Sequence, residues 1–290
     1  MVRMLSKDVF RISQSASNAN STSHHELQTV HFNPRLIVQR ISFIVAVLER
    51  YKSQTVLDIG SGPGILLVEL LRQRVNIPSL NTIIAVEIDE ELVQDMVGKL
   101  TKDVCIQKHG EPSDICVQLF NASLTVFNPR FQMADAIVAT EVIEHLDDNE
   151  LSSFSTLVFG TYRPSTVILT TPNYDFNKYF DSPVNEEERR TTRFKDPTGR
   201  TDRIFRQADH RFEWTMDEFQ TWCSRIASTY GYNVEFTGVG SFRSYPTRRD
   251  YSNGPDSNPQ PPSDPGHFFA SQISIFRIVE CPISDYTFIL

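Results

Sequence analysis

Three short strings carry the side chains best suited to chemistry. In EVIEHL, Glu141, Glu144 and His145 stand at i, i+3 and i+4, a spacing that shares one face if the segment turns helically. Two carboxylates and an imidazole form a partial site for a hard divalent cation such as Mg²⁺, Mn²⁺ or Co²⁺, and the lack of thiolates disfavours structural zinc. The string ADHRFEWT at 208–215 supplies His210 as a fourth ligand, with Asp209 beside it as a carboxylate able to orient a ring. Without the 141–145 cluster, His210 would read as a solvated loop histidine or a helix-start contact. The third string, DIGSGPG, places Gly60, Gly62 and Gly64 where a strand meets a helix, so that backbone can approach a ligand closely. Asp58 would line the same pocket. Glu87, 27 residues beyond Gly60, ends the next strand and offers a carboxylate to both hydroxyls of a ribose, with Asp89 as the alternative. The turn departs from a dinucleotide fingerprint, since Ile65 replaces its third glycine, and from a phosphate loop, since no lysine follows.

These groups need a scaffold, and the chain alternates strand and helix patterns to provide one. A helix at about 35–51 precedes the strand Thr55–Ile59, the glycine turn and a helical run from Ile65. Strands follow at Thr82–Ile88, Ile115–Phe120, Ala134–Ala139 and Thr166–Thr170, separated by a charged helix at Glu90–Leu100 and a helix with Asp148 as its cap. Thr215 opens another helix through a Thr-x-x-Glu capping box ending in Glu218, and Tyr232–Gly238 and Phe268–Arg277 read as late strands. Such alternation predicts an α/β fold with a mainly parallel sheet, because parallel neighbours need helical crossovers. Residues 174–212 and 241–266 lack either periodicity and read as insertions on the binding face.

Composition narrows the function classes. The 290 residues carry 36 acids against 28 basic side chains, for a net charge of −8, which argues against a protein that coats nucleic acid nonspecifically. Four irregularly spaced cysteines, Cys105, Cys116, Cys223 and Cys281, make neither a disulfide framework nor a zinc ribbon, so a reducing compartment is expected. Nothing reaches the run of about 18 apolar residues that a membrane span needs. Residues 1–30 read as a disordered polar tail, with a mitochondrial presequence as the alternative, and 31–280 as a single domain. Against the acidic total, residues 189–211 hold eight basic side chains (Arg189, Arg190, Arg193, Lys195, Arg200, Arg203, Arg206 and Arg211) and three acids. This is a local positive strip suited to phosphates, and Tyr174, Tyr179 and Trp214 could stack on a base.

Strand, DIGSGPG, helix and an acidic end to the second strand together resemble class I S-adenosylmethionine-dependent methyltransferases. That resemblance implies a Rossmann-like seven-stranded sheet with helices on both faces and a cofactor pocket of Asp58, Gly60, Gly62 and Glu87, with Ser123 in FNAS near the adenine. EVIEH, TPNYDFN at 171–177 and DHRFEW, with HFNPRLIVQR at 31–40, YNVEFTGVG and ASQISIFR, narrow it further. They resemble the small-RNA 3′-terminal 2′-O-methyltransferase family, the Hua-enhancer type, over about residues 31–278. The family's four metal ligands then map to Glu141, Glu144, His145 and His210, all intact. Gln207 and Ala208 stand where the family often has a further histidine, and Ser61 replaces a usual cysteine.

The resemblance implies methyl transfer from S-adenosylmethionine to the 2′-OH of the last nucleotide of small RNAs, in RNA silencing. One divalent ion, Mg²⁺ first, would acidify the hydroxyl, with His145 or His210 as the alternative proton acceptor. The expected partner is a single-stranded small RNA with a free 3′-OH, contacted by Arg40, Arg203, Arg206 and Arg211, with an Argonaute-type protein as a further partner and no membrane. A cytoplasmic location is expected, a nuclear or mitochondrial one being the alternatives. Two other readings compete: a small-metabolite O-methyltransferase of the ubiquinone-pathway type, against which DHRFEW and the arginine strip stand, and a non-catalytic RNA or protein partner that has kept the fold, against which the intact glycine turn and ligand set stand.

Overall fold

A computed structural model of the chain describes residues 32–104, 115–180, 183, 185–241 and 269–279. The polar tail expected at 1–30 lies outside these residues, as does the insertion expected at 241–266 apart from Ser241. The strands Thr55–Ile59 (β1), Thr82–Glu87 (β2), Cys116–Asn121 (β3), Ala136–Thr140 (β4) and Thr166–Pro172 (β5) pair in parallel. Phe194–Lys195 (β6) and Ile204–Phe205 (β7) form a small hairpin apart from them. Tyr232–Ser241 (β8) and Phe269–Ile278 (β9) complete the main sheet in antiparallel pairing. Its seven strands run in the order β3-β2-β1-β4-β5-β9-β8, so the expected class I methyltransferase fold is borne out.

Alternation along each central strand sorts the core into two layers. Val56, Ile83, Ala85, Val138 and Ile168 pack under helices Leu36–Arg50 (α1), Ile65–Arg72 (α2) and Glu90–Val104 (α3). Their neighbours Leu57, Ile84, Val86, Ile137 and Leu169 face Asp148–Ser155 (α4), its wider continuation Thr156–Tyr162, and Met216–Tyr230 (α6). A parallel strand covered on both faces buries both sets of side chains, which is why these segments read as continuous apolar runs. Strand order reverses between β1 and β4, so the loops leaving the carboxyl ends of β1, β2, β4 and β5 converge at a crevice where ligands of open α/β sheets bind.

Local signals hold with small corrections. The Thr215–Glu218 capping box forms as expected, whereas α4 is capped by Asp147, with Glu150 closing the box, and not by Asp148. The segment 174–212, expected to be irregular, contains a tight helical stretch Tyr174–Tyr179, the helix Glu186–Thr192 (α5) and the β6–β7 hairpin. These short elements give no period long enough to stand out in sequence. No helix among the described residues is long and apolar enough to cross a membrane.

Candidate active site

At the carboxyl end of β1, the glycine turn closes onto the end of β2. Gly60 and Ser61 donate their backbone N–H groups to the Val86 carbonyl at 2.9 and 3.1 Å, and Gly62 donates its own to Glu87 Oε2 at 2.8 Å. The other Glu87 oxygen accepts from the Ile88 and Asp89 amides at 2.8 and 3.0 Å. Three backbone donors therefore fix a buried carboxylate at the crevice, which pre-orients it for a ribose.

Two of the glycines have distinct reasons to be there. Both have positive φ, +68° at Gly60 and +52° at Gly62. A Cβ on Gly60 would lie 2.7 Å from Val142 Cγ2, whereas one on Gly62 would meet nothing within 4 Å. Gly60 thus serves packing, and Gly62 leaves room where a ligand can approach the backbone. Asp58, at the same strand end, is fully buried with Oδ2 lacking a hydrogen-bond partner among the described residues. Burial, aided by the charge of Glu87, raises its pKa from 3.8 to about 7. A backbone cradle with room at Gly62, beside a buried acid whose Oδ2 has no hydrogen-bond partner among the described residues, fits a cationic nucleoside cofactor such as S-adenosylmethionine. Ser123 lies after β3, its hydroxyl 2.9 Å from Thr125 Oγ1, while Asn121 ties β3 to β2 by donating to the Glu87 and Ile88 carbonyls.

The second half of the site is built from side chains. After β4, a tight turn at Ile143–His145 brings Glu144 into the interior, where Oε2 accepts from the Thr171 hydroxyl at 3.0 Å and Oε1 has no partner among the described residues. The Glu144 carbonyl accepts from the Arg211 amide at 2.7 Å, which docks the loop before α6 against this turn. That contact seats His210 with its ring centroid 4.9 Å from that of His145. One ligand atom each from Glu144, His145 and His210 lie within 4.8 Å of one another. Burial first, then the neighbouring charge of Glu141, raise the Glu144 pKa from 4.5 to about 7, against the opposing effect of the two imidazoles.

Each imidazole faces a carboxylate at Nδ1. His210 lies 2.9 Å from Glu213 Oε1, and both residues are buried. His145 lies 3.3 Å from Asp209 Oδ2, an ion-pair contact without hydrogen-bond alignment. Burial alone would lower the His145 pKa, but the carboxylates of Asp209 and Glu144 overcome it and hold the pKa above its ordinary value. The same pairing holds the Asp209 carboxyl down to about 2. Asp209, expected as a partner for His210, thus serves His145. Glu213 takes the expected role, and its signal in the sequence was the His-x-x-Glu spacing inside DHRFEW. An unpartnered buried oxygen beside two imidazoles, with Nδ1 of His210 on Glu213 and Nδ1 of His145 facing Asp209, fits a divalent cation.

Glu141 does not share the face expected from its spacing. Its φ of +54° turns it out of the tight turn. Its Oε1 accepts from the Thr170 and Ser271 hydroxyls, each at 2.8 Å, and Oε2 stands 3.4 Å from Arg40 Nη1. Arg40 is accordingly placed at the edge of this cluster, not on an outer surface. The arginine strip is likewise divided. Arg203 makes two contacts to Glu218, at 2.7 and 3.0 Å, and lies over the Tyr174 ring. Arg206 lies 3.5 Å over the Phe180 ring, and Arg200 is paired with Asp148. Arg190, Lys195 and Arg211 are exposed. Trp214 stacks on Phe212 and contacts Trp222 against the core, and Tyr179 packs on Phe176, so neither is a free stacking platform.

A family profile described as a methyltransferase domain matches residues 29–230. The chain is 32% identical over 214 residues to a mouse small RNA 2′-O-methyltransferase, covering 74% of this chain and 48% of the relative. It is 30% identical over 251 residues to a rat protein of the same name, covering 86% of this chain and 53% of the relative. The chain thus spans about half the length of the curated relatives it matches. Among solved structures, the methyltransferase domain of bacterial CtHen1-C is 30% identical, with a TM-score of 0.60, 84% of this chain and 99% of that chain covered. The small RNA methyltransferase HEN1 is 28% identical, with a TM-score of 0.61, over 90% of this chain and 28% of that one.

Proposed function

This chain belongs to the small RNA 2′-O-methyltransferase family, and from that premise we propose that it transfers a methyl group from S-adenosylmethionine to the 2′-hydroxyl of the last nucleotide of a small RNA, using a divalent ion. The observation that carries this reading is the closeness of Glu144, His145 and His210, with an unpartnered carboxylate oxygen among them, at the same crevice as the Gly62–Glu87 cradle.

On the cofactor side, Glu87 holds the ribose while Gly62 admits the nucleoside and Asp58 faces its positive charge. S-adenosylmethionine, when bound, supplies an electrophilic sulfonium methyl. On the other side, Glu144, His145 and His210 hold the ion, with Glu141 able to join them by leaving Arg40. A divalent ion, when bound, supplies a charge that acidifies a nearby hydroxyl. Holding cofactor and hydroxyl side by side in one crevice would contribute through proximity and orientation. An imidazole that holds the ion through Nε2 cannot also be a base at that nitrogen, so ligand and base roles exclude each other.

Arg190, Lys195 and Arg211 are exposed and available for RNA phosphates. A single-stranded RNA with a free 3′-OH, delivered by an Argonaute-type protein for RNA silencing in the cytoplasm, fits this reading. The test uses matched short RNAs ending in 3′-OH, 3′-phosphate or 2′-deoxyribose, with methyl groups located by nuclease digestion and mass spectrometry. The first alone should be methylated, at its terminal ribose. Transfer to internal riboses, or to a catechol in preference to RNA, would overturn the proposal and favour a small-metabolite substrate.

A further inference from the structure

Glu213 is 1% exposed, so its charge needs a full set of partners. It has three. Oε2 accepts from Asn177 Nδ2 at 2.6 Å, and Oε1 accepts from the Arg206 amide at 2.9 Å while lying 2.9 Å from His210 Nδ1. The first comes from the segment after β5, the second from the segment after β7, and the third from the candidate ion site. A carboxylate can only accept, so the proton of a neutral His210 must sit on Nδ1, and Nε2 keeps its lone pair. His145 differs: its Asp209 partner is 46% exposed and poorly aligned.

The geometry points to Glu213 as a positioning residue that fixes His210 in the Nδ1–H tautomer and presents Nε2 to Glu144 and His145. This deepens the ion-binding reading and rests on it only for its consequence in metal affinity, because the tautomer is a property of the metal-free protein. Through Asn177 and the Arg206 amide, the same carboxylate ties the two substrate-side segments to the orientation of that ring. Glu213 touches neither substrate nor ion. Its effect is to remove the rotational and tautomeric freedom that His210 would otherwise lose on binding.

The test combines two readouts on the full chain. In the metal-free protein at a pH where His210 is neutral, ¹⁵N shifts of the ring report the tautomer directly. Wild type should show Nδ1–H, and Glu213→Ala should show a mixture. Titration with Mn²⁺ followed by electron paramagnetic resonance should show affinity falling about 10- to 100-fold in Glu213→Ala. Glu213→Gln, which keeps the shape and an acceptor oxygen, should lose less affinity and retain the tautomer, so the inference stays testable if the alanine variant fails to fold. Asp209→Asn should leave the His210 tautomer unchanged. An Nε2–H tautomer in wild type, or wild-type tautomer and Mn²⁺ affinity in Glu213→Ala, would overturn the inference. Failure of wild type to bind Mn²⁺ would instead overturn the ion-binding reading, while the tautomer readout would still decide the role of Glu213.

Discussion

The two halves of the crevice are made in different ways. On the cofactor side, backbone does most of the work: the Gly62, Ile88 and Asp89 amides grip Glu87, and an absent Cβ leaves the space. On the other side, Glu144, His145 and His210 come from two separate loops, each held by a different partner: Thr171, Asp209 and Glu213. A backbone-built site can be spoiled by adding a side chain, whereas a side-chain-built site is spoiled by removing one. The halves should therefore fail independently, one in cofactor affinity and the other in ion binding.

The largest effect is expected from the side-chain half. Glu144→Ala and His210→Ala should each lower methyl transfer by at least about 100-fold, while S-adenosylmethionine affinity measured by calorimetry stays near wild type. A comparable loss of cofactor affinity would mean that the halves are one unit. Gly62→Val should show the mirror image, with cofactor affinity reduced by an order of magnitude or more and Mn²⁺ affinity unchanged. Unaltered cofactor binding in that variant would show the cradle to be elsewhere.

A smaller, pH-dependent effect distinguishes Asp58. Its folded pKa of about 7 lies above the ordinary 3.8, so the ligand-free protein binds that proton more tightly than the unfolded chain does. The resulting stability is fully present below about pH 4 and is lost as pH rises through 7. Asp58→Asn should remove this loss, making the ligand-free variant more stable than wild type at pH 8 by an amount of the order of a few kcal/mol. Thermal unfolding at pH 4 and 8 measures it, and equal pH dependence in both proteins would show that Asp58 is ionised throughout.

The smallest effects separate members of the arginine strip. Arg211→Ala should weaken RNA binding and flatten its salt dependence, since a phosphate contact releases counterions. Arg203→Ala should instead lower stability by no more than about 1 kcal/mol with little change in the salt slope, because its guanidinium is engaged by Glu218 and Tyr174. A steeper loss of RNA affinity for Arg203→Ala than for Arg211→Ala would reverse this division.

This contrast also explains what could be read from sequence. The glycine turn and Glu87 are local, each a few residues at a strand end, and apolar runs on either side mark those strands. The mainly parallel pairing follows from the same pattern because parallel neighbours require crossovers, whereas the strand order does not. Glu144, His145 and His210 were legible as residue types, but the partner of each ring was not. Asp209 is adjacent to His210 yet turns to His145, and Glu213 reaches His210 only because the loop bends before α6. The shared face of Glu141, Glu144 and His145 depended on a helical turn, and nothing in EVIEHL signals the positive φ that Glu141 adopts instead. The strip of arginines could be counted from sequence, but Arg203 and Glu218 meet only after α6 has been capped and docked.

The most direct test of the central claim is single-turnover methyl transfer to a short RNA with a free 3′-OH, by wild-type protein loaded with S-adenosylmethionine and stripped of divalent ions. The account predicts no methylated terminus in the presence of EDTA, full transfer when Mg²⁺ or Mn²⁺ is restored, and no restoration in Glu144→Ala. Undiminished transfer in EDTA would contradict it, leaving the Glu144–His145–His210 cluster as acid–base machinery and not an ion site.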